Sequence, residues 1–164
     1  MLNPEMQAAL NAQFNREQTA AQEYLAMAGY FERESLSGFA KFMRGQVAEE
    51  TEHAMRFFDY LFDRGGEVTV GSLAAPTGSF ESARSVFQAA LLREQSNTTN
   101  INALYRLARE VDDPATETML HWFIQEQVEE EQWGTEALTL LDMVGDNRSA
   151  LLMLDKRYGE KAGK

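Results

Sequence analysis

Apolar residues recur along this chain in a seven-residue rhythm, the spacing expected of the inner stripe of an α-helix packed in a bundle. Four long segments carry that rhythm, and helix-breaking signals separate them. Asn3 followed by Pro4 reads as an N-cap with proline at the first helical position, and periodicity then runs to about Glu34. Ser35 to Gly38 forms the break. A second segment, from about Phe39 to Arg64, stops at Gly65-Gly66, which is a strong helix C-terminal signal. A third runs from about Phe80 to Val111, where Asp112-Asp113-Pro114 both ends it and caps a fourth reaching Val144 before Gly145. A short fifth helix is expected over 147–158, with residues 159–164 as a frayed tail. The segments are rich in Ala, Leu, Glu, Gln, Arg and Met, which lose little side-chain freedom in helices. The pattern predicts a single all-α domain.

The stretch from Gly65 to Ser79 is rich in glycine, with a β-branched cluster at Val68, Thr69 and Val70, and reads as a connection. At ~3.3 Å per residue it can span ~50 Å. A helix of roughly 28 residues is ~42 Å long. The connection can therefore carry the chain from one end of a bundle to the other, leaving helices two and three parallel.

Each apolar stripe is interrupted by polar residues near its middle. The stripes read Leu10, Glu17, Tyr24, Phe31; then Phe39, Met43, Glu50, His53, Phe57; then Phe87, Leu91, Glu94, Thr98, Ile101, Tyr105; and finally Phe123, Gln127, Glu130, Ala137, Leu141. In helices of similar length, interruptions near the middle meet at one height whichever way each helix points. Four carboxylates converging in a dry core repel one another, and burying each charge costs several kcal/mol unless it is compensated. No lysine or arginine lies on these stripes. Two divalent cations would neutralise four carboxylates, and the Glu50-x-x-His53 spacing puts both side chains on one helix face. The inference is a dinuclear metal site, whose oxygen-dominated ligands with one imidazole suit iron or manganese better than copper or structural zinc. Tyr24 is either a hydrogen-bond donor to the ligands or simply core. Trp122 and Trp133 read as packing or interface residues, Met27, Met43 and Met55 as core, and His121 has no ligand partner at a useful spacing.

Composition narrows the choice of partners. The 164 residues carry 26 acidic and 15 basic side chains, a formal charge of −11, which disfavours nucleic acid and anionic membrane as partners. Cysteine is absent, which excludes disulfides, thiolate metal sites and Cys nucleophiles. No apolar run approaches the ~20 residues of a membrane span, and the start lacks the basic and apolar regions of a signal peptide. The expected location is the cytoplasm.

Glu17, Glu49-Glu50-x-x-His53, Glu94 and Glu126-Gln127-x-Glu129-Glu130 match, in identity, order and spacing, the pattern of the bacterial non-haem ferritins, and the chain resembles the ferritin superfamily over essentially its whole length. The resemblance implies a ferritin-like four-helix bundle with a long crossover between helices two and three and a short fifth helix. It also implies a homo-oligomeric shell of 24 subunits, with helix five lining fourfold axes. The implied activity is that of a ferroxidase, which oxidises Fe²⁺ with dioxygen or hydrogen peroxide and stores Fe³⁺ mineral. On the same resemblance Glu17, Glu50 and His53 hold a first iron, Glu50 bridges to a second held by Glu94 and Glu130, and Gln127 is a hydrogen-bonding neighbour. Glu49, Glu126 and Glu129, sharing Glu130, resemble a third iron site; a solvated acidic face is the plainer reading of these outer glutamates. Glu110, Asp112, Asp113 and Glu117 fall near implied threefold axes and would guide Fe²⁺ inwards, though helix capping explains Asp113 and Glu117 equally well.

Two departures separate the chain from the related bacterioferritins and rubrerythrins. Gln127-x-x-Glu130 replaces a second Glu-x-x-His, and Thr51 stands where bacterioferritins carry a haem-ligating methionine, so haem is not expected. Carboxylates alone hold Fe²⁺ more weakly than imidazole does, and the second iron is therefore expected to fill, oxidise and leave as substrate. The competing readings are a passive metal-binding shell and a soluble di-metal oxygenase component. A DNA-shielding miniferritin is disfavoured, because that family builds its site between subunits and Lys156, Arg157, Lys161 and Lys164 are too few for a basic tail.

Overall fold

The computed structural model describes residues 2–161. Among these residues there are five helices and no strand: α1 (Pro4–Arg33), α2 (Ser37–Asp63), α3 (Ala83–Glu110), α4 (Pro114–Val144) and α5 (Arg148–Lys161). The caps act as the sequence predicts. The Asn3 side chain accepts from the backbone N–H of Glu5 at 2.8 Å, Asp113 accepts from Thr116 N–H at 3.2 Å, and Gly145 takes the positive φ of 52° that closes α4.

Three boundaries differ from the sequence reading. Ser82 and Ser85 form a reciprocal capping box, so α3 starts at Ala83 and Phe80 packs instead against the Tyr30 ring, centroid to centroid 5.6 Å. The helix α2 begins at Ser37 and takes in Gly38, which is buried. The helix α5 continues to Lys161, so residues 159–161 are helical rather than tail; residues 162–164 of the expected tail lie outside the described residues.

Two apolar clusters fill the bundle. One joins the C-terminal half of α1, the start of α2, the start of α3, the end of α4 and α5, through Phe31, Phe39, Phe87, Leu141 and Tyr158. The other joins the start of α1, the end of α2, the end of α3 and the start of α4, through Phe14, Phe57, Ile101 and Phe123. Helices α2 and α3 therefore run parallel, each antiparallel to α1 and α4. Between the clusters lies a polar layer.

The crossover reaches from one end of the bundle to the other alongside α1 and is held by a ladder of amides. Asn11 donates to Glu67 O at 2.8 Å and accepts from Thr69 N–H at 2.6 Å. Asn15 donates to Thr69 O at 2.8 Å and accepts from Gly71 N–H at 2.7 Å. Four helical residues rise ~6 Å and two extended residues ~6.6 Å, so asparagines four apart read crossover residues two apart.

Candidate metal centre

The polar layer contains Glu17, Glu50, His53, Glu94 and Glu130, all buried, one or two from each of the four long helices. Ligand atoms of Glu17, Glu50 and His53 lie within 4.8 Å of one another, and so do those of Glu50, Glu94 and Glu130. Glu50 is common to both sets. Neither Glu50 oxygen meets an N–H or O–H donor, and His53 Nδ1, 3.7 Å from Glu50 Oε2, also lacks a hydrogen-bond partner. Buried polar atoms are rarely left so. Two adjacent three-ligand sets sharing one carboxylate, with that carboxylate and the His53 Nδ1 unpartnered, fit a pair of divalent cations.

Electrostatics agree with the donor set. Burial, reinforced by the Glu50 carboxylate, pushes the Glu17 carboxyl up to about 8. Burial and then Glu94 do the same for Glu130, also to about 8. Glu50 and Glu94 are raised as well, mainly by burial. Arg93 tempers both, but it lies off the core stripe, with Nε 3.2 Å from Glu23 Oε2. The metal-free centre therefore holds protons at neutral pH, and a cation entering it must displace them.

A frame of neutral donors orients these carboxylates. The Tyr24 hydroxyl, fully buried, donates to Glu94 Oε1. Gln127 Nε2 donates to Glu94 O at 3.1 Å and contacts Glu94 Oε2 at 3.4 Å and Thr98 Oγ1 at 3.2 Å. Three residues in this frame go beyond the sequence reading. Gln13 Nε2 donates to Glu17 Oε1 at 2.6 Å and lies 2.6 Å from Asn97 Oδ1. Asn97 Nδ2 reaches Glu17 Oε2 at 3.3 Å and Gln127 Oε1 at 3.2 Å. Trp133 Nε1 donates to Glu130 Oε2 at 2.5 Å, so its indole is more than packing. The α3 stripe explains the omission of Asn97. Its buried residues include Phe87, Ala90, Leu91, Glu94, Asn97, Ile101, Leu104 and Ala108, whereas Thr98 and Tyr105, placed on the stripe from sequence, are only half-buried. Trp122 and Phe123 present their rings to His53, at 5.4 and 5.9 Å between centroids.

Glu49, Glu126 and Glu129 lie outside this core, where with Glu130, Trp133 and Lys161 they line a cavity of about 410 Å³ between α2 and α4. Glu49 accepts from Gln46 Nε2 at 2.5 Å. At the α3–α4 junction Asp113 is committed elsewhere: besides capping α4 it pairs with Arg64 through contacts of 3.0 and 3.2 Å and accepts from Thr116 Oγ1 at 2.7 Å. Glu117 lies 4.0 Å from Arg109, while Glu110 and Asp112 are exposed.

A carboxylate-rich candidate dinuclear centre in the middle of a four-helix bundle is the arrangement that di-metal carboxylate bundle proteins share. Residues 7–144 match the family model described as a ferritin-like domain. The chain is 37% identical over 161 residues to the bacterial non-heme ferritin of Staphylococcus aureus (strain USA300), covering 98% of this chain and 97% of the relative. It is 38% identical over 162 residues to that of Staphylococcus epidermidis, covering 99% and 98%. Among solved structures, the open pore ferritin of Archaeoglobus fulgidus superposes with a TM-score of 0.96 at 36% identity, covering 97% of this chain and 98% of that one. The chain belongs to the ferritin family.

Proposed function

We propose that this protein is an iron-storage ferroxidase. Glu17, Glu50 and His53 bind a first Fe²⁺, Glu50 bridges, and Glu94 and Glu130 bind a second. The observation that carries this reading is the sharing of Glu50, whose two buried oxygens have no hydrogen-bond partner, by two close ligand sets. Each Fe²⁺ gives one electron, and dioxygen takes two electrons and two protons to become hydrogen peroxide. With peroxide as oxidant, two electrons and two protons give two waters. The Fe³⁺ product, held at the second position by carboxylates alone, leaves as hydroxo- or oxo-bridged material towards a mineral. Membership of the ferritin family supports storage within a homo-oligomeric shell of 24 subunits.

Tyr24 and Gln127 fix the Glu94 carboxylate in this scheme, and Glu49, Glu126 and Glu129 form the third iron position on the wall of the acidic cavity. Anaerobic loading with Fe²⁺ followed by mixing with oxygenated buffer tests the reading. Oxidation far faster than in buffer alone is expected, and a rate equal to that of buffer overturns it. Size-exclusion chromatography tests the shell, since a stable monomer or dimer contradicts storage.

A further inference from the structure

The helix α4 borders a second cavity, of about 320 Å³, between itself and α3. Ile101, Ile124 and Val128 supply its apolar walls, and Thr98 and Gln127 also line it. Its one carboxylate, Glu131, accepts from Thr98 Oγ1 at 2.5 Å. Gln127 belongs to both cavity and centre, because its Nε2 reaches Glu94 Oε2 at 3.4 Å. One amide side chain thus links the cavity to the carboxylate proposed to hold the second iron.

Successive α-helical residues turn by ~100°, which sends Glu126, Glu129, Glu130 and Trp133 to one flank of α4 and Ile124, Gln127, Val128 and Glu131 to nearly the opposite flank. The first flank meets the acidic cavity and the second meets the apolar one. A divalent cation is drawn to clustered carboxylates. A neutral, apolar diatomic molecule gains nothing from them and favours apolar surface over water.

We propose that the α3–α4 cavity is the site through which dioxygen reaches the dinuclear centre, with Gln127 as its inner gate, while Fe²⁺ enters by the acidic α2–α4 cavity. This rests on the ferroxidase reading. Separate routes allow both reactants to arrive without one blocking the other, and the α3–α4 route delivers dioxygen beside Glu94 without crossing the acidic cavity.

The test uses the assembled protein and Val128→Trp. Val128 is 66% exposed, so the added indole narrows the mouth without entering the core; Val128→Ala is the open-mouthed companion. Stopped-flow oxidation is measured against dioxygen at saturating Fe²⁺, then against Fe²⁺ at saturating dioxygen, with anaerobic Co²⁺ titration as a check on the centre. The expected result for Val128→Trp is a half-saturating dioxygen concentration raised roughly threefold or more, with Fe²⁺ dependence and Co²⁺ stoichiometry unchanged and no such rise in Val128→Ala. An unchanged dioxygen dependence in a wild-type-like, active Val128→Trp overturns the route alone. A shift in Fe²⁺ dependence alone also overturns it, by making the cavity an iron path. Wild-type oxidation no faster than buffer removes the ferroxidase reading and this inference together.

Discussion

Glu130, unlike the shared Glu50, belongs to only one of the two close ligand sets, and its neighbour Trp133 is half-buried, so its loss leaves the first set and most of the packing in place. Its replacement by alanine removes one of the carboxylates of the second position and leaves Glu17, Glu50 and His53 in place. Glu130→Ala is expected to slow initial Fe²⁺ oxidation roughly tenfold or more while anaerobic Co²⁺ titration still finds the first position; unchanged stopped-flow kinetics would remove Glu130 from the ligand set. The buried carboxylates of the polar layer were legible in sequence because a glutamate on an apolar stripe contradicts its surroundings. The amides around them were less so. Gln13 sits one turn before Glu17 and Asn97 one turn after Glu94, so helical spacing could have found both. Thr98 and Tyr105, in heptad register with the buried Leu91, offered a competing line on α3, however, and only packing against α1 and α4 decides between the two.

Docking of α5 shows how an element-level feature can carry misleading local signals. Gly38 reads as a helix breaker, yet it lies inside α2 because α5 crosses there: a Cβ at Gly38 would fall 1.8 Å from the Asp155 backbone oxygen, and one at Gly159 would fall 3.0 Å from Gly38 Cα. The same crossing completes the start of α2, whose N-cap residue Leu36 offers no side-chain acceptor. Asp155 supplies it from α5, accepting from Phe39 N–H at 2.7 Å. Asp155→Ala is expected to lower stability by about 1–2 kcal/mol, the scale of a lost N-cap. Gly38→Ala is expected to go further and undock α5, because the clash is with backbone. Hydrogen exchange over 148–161 checks both: protection should fall in each variant, and unchanged protection in Gly38→Ala contradicts the crossing as the lock. The crossover, by contrast, was legible as a length and a lack of periodicity, while its asparagine ladder on α1 was not, since polar residues at i and i+4 of a helix ordinarily face water.

At the scale of the whole molecule, two apolar clusters press a polar layer between them, and the balance of that layer depends on pH. Glu17 and Glu130 sit at about 8 when folded and metal-free, against an ordinary 4.5. Between these values the folded chain holds protons that the unfolded chain has released, so raising the pH draws the equilibrium towards the unfolded state. The contribution of these carboxyls is complete below about pH 4.5 and is lost as pH rises through about 8. Metal binding follows the opposite sign, because a cation displaces the same protons and binds better where they are already gone. The metal-free protein is therefore expected to lose several degrees of Tm between about pH 5 and 8, whereas the Co²⁺-loaded protein holds or gains over the same range. The double variant Glu17→Gln, Glu130→Gln should flatten the metal-free slope, since neither amide titrates. Equal slopes for wild type and double variant would place the pH dependence elsewhere among the 26 acidic residues. A Tm in Co²⁺ that falls as steeply as without it would mean that the buried carboxyls do not give up their protons to a metal, against the reading of this layer as a dinuclear centre.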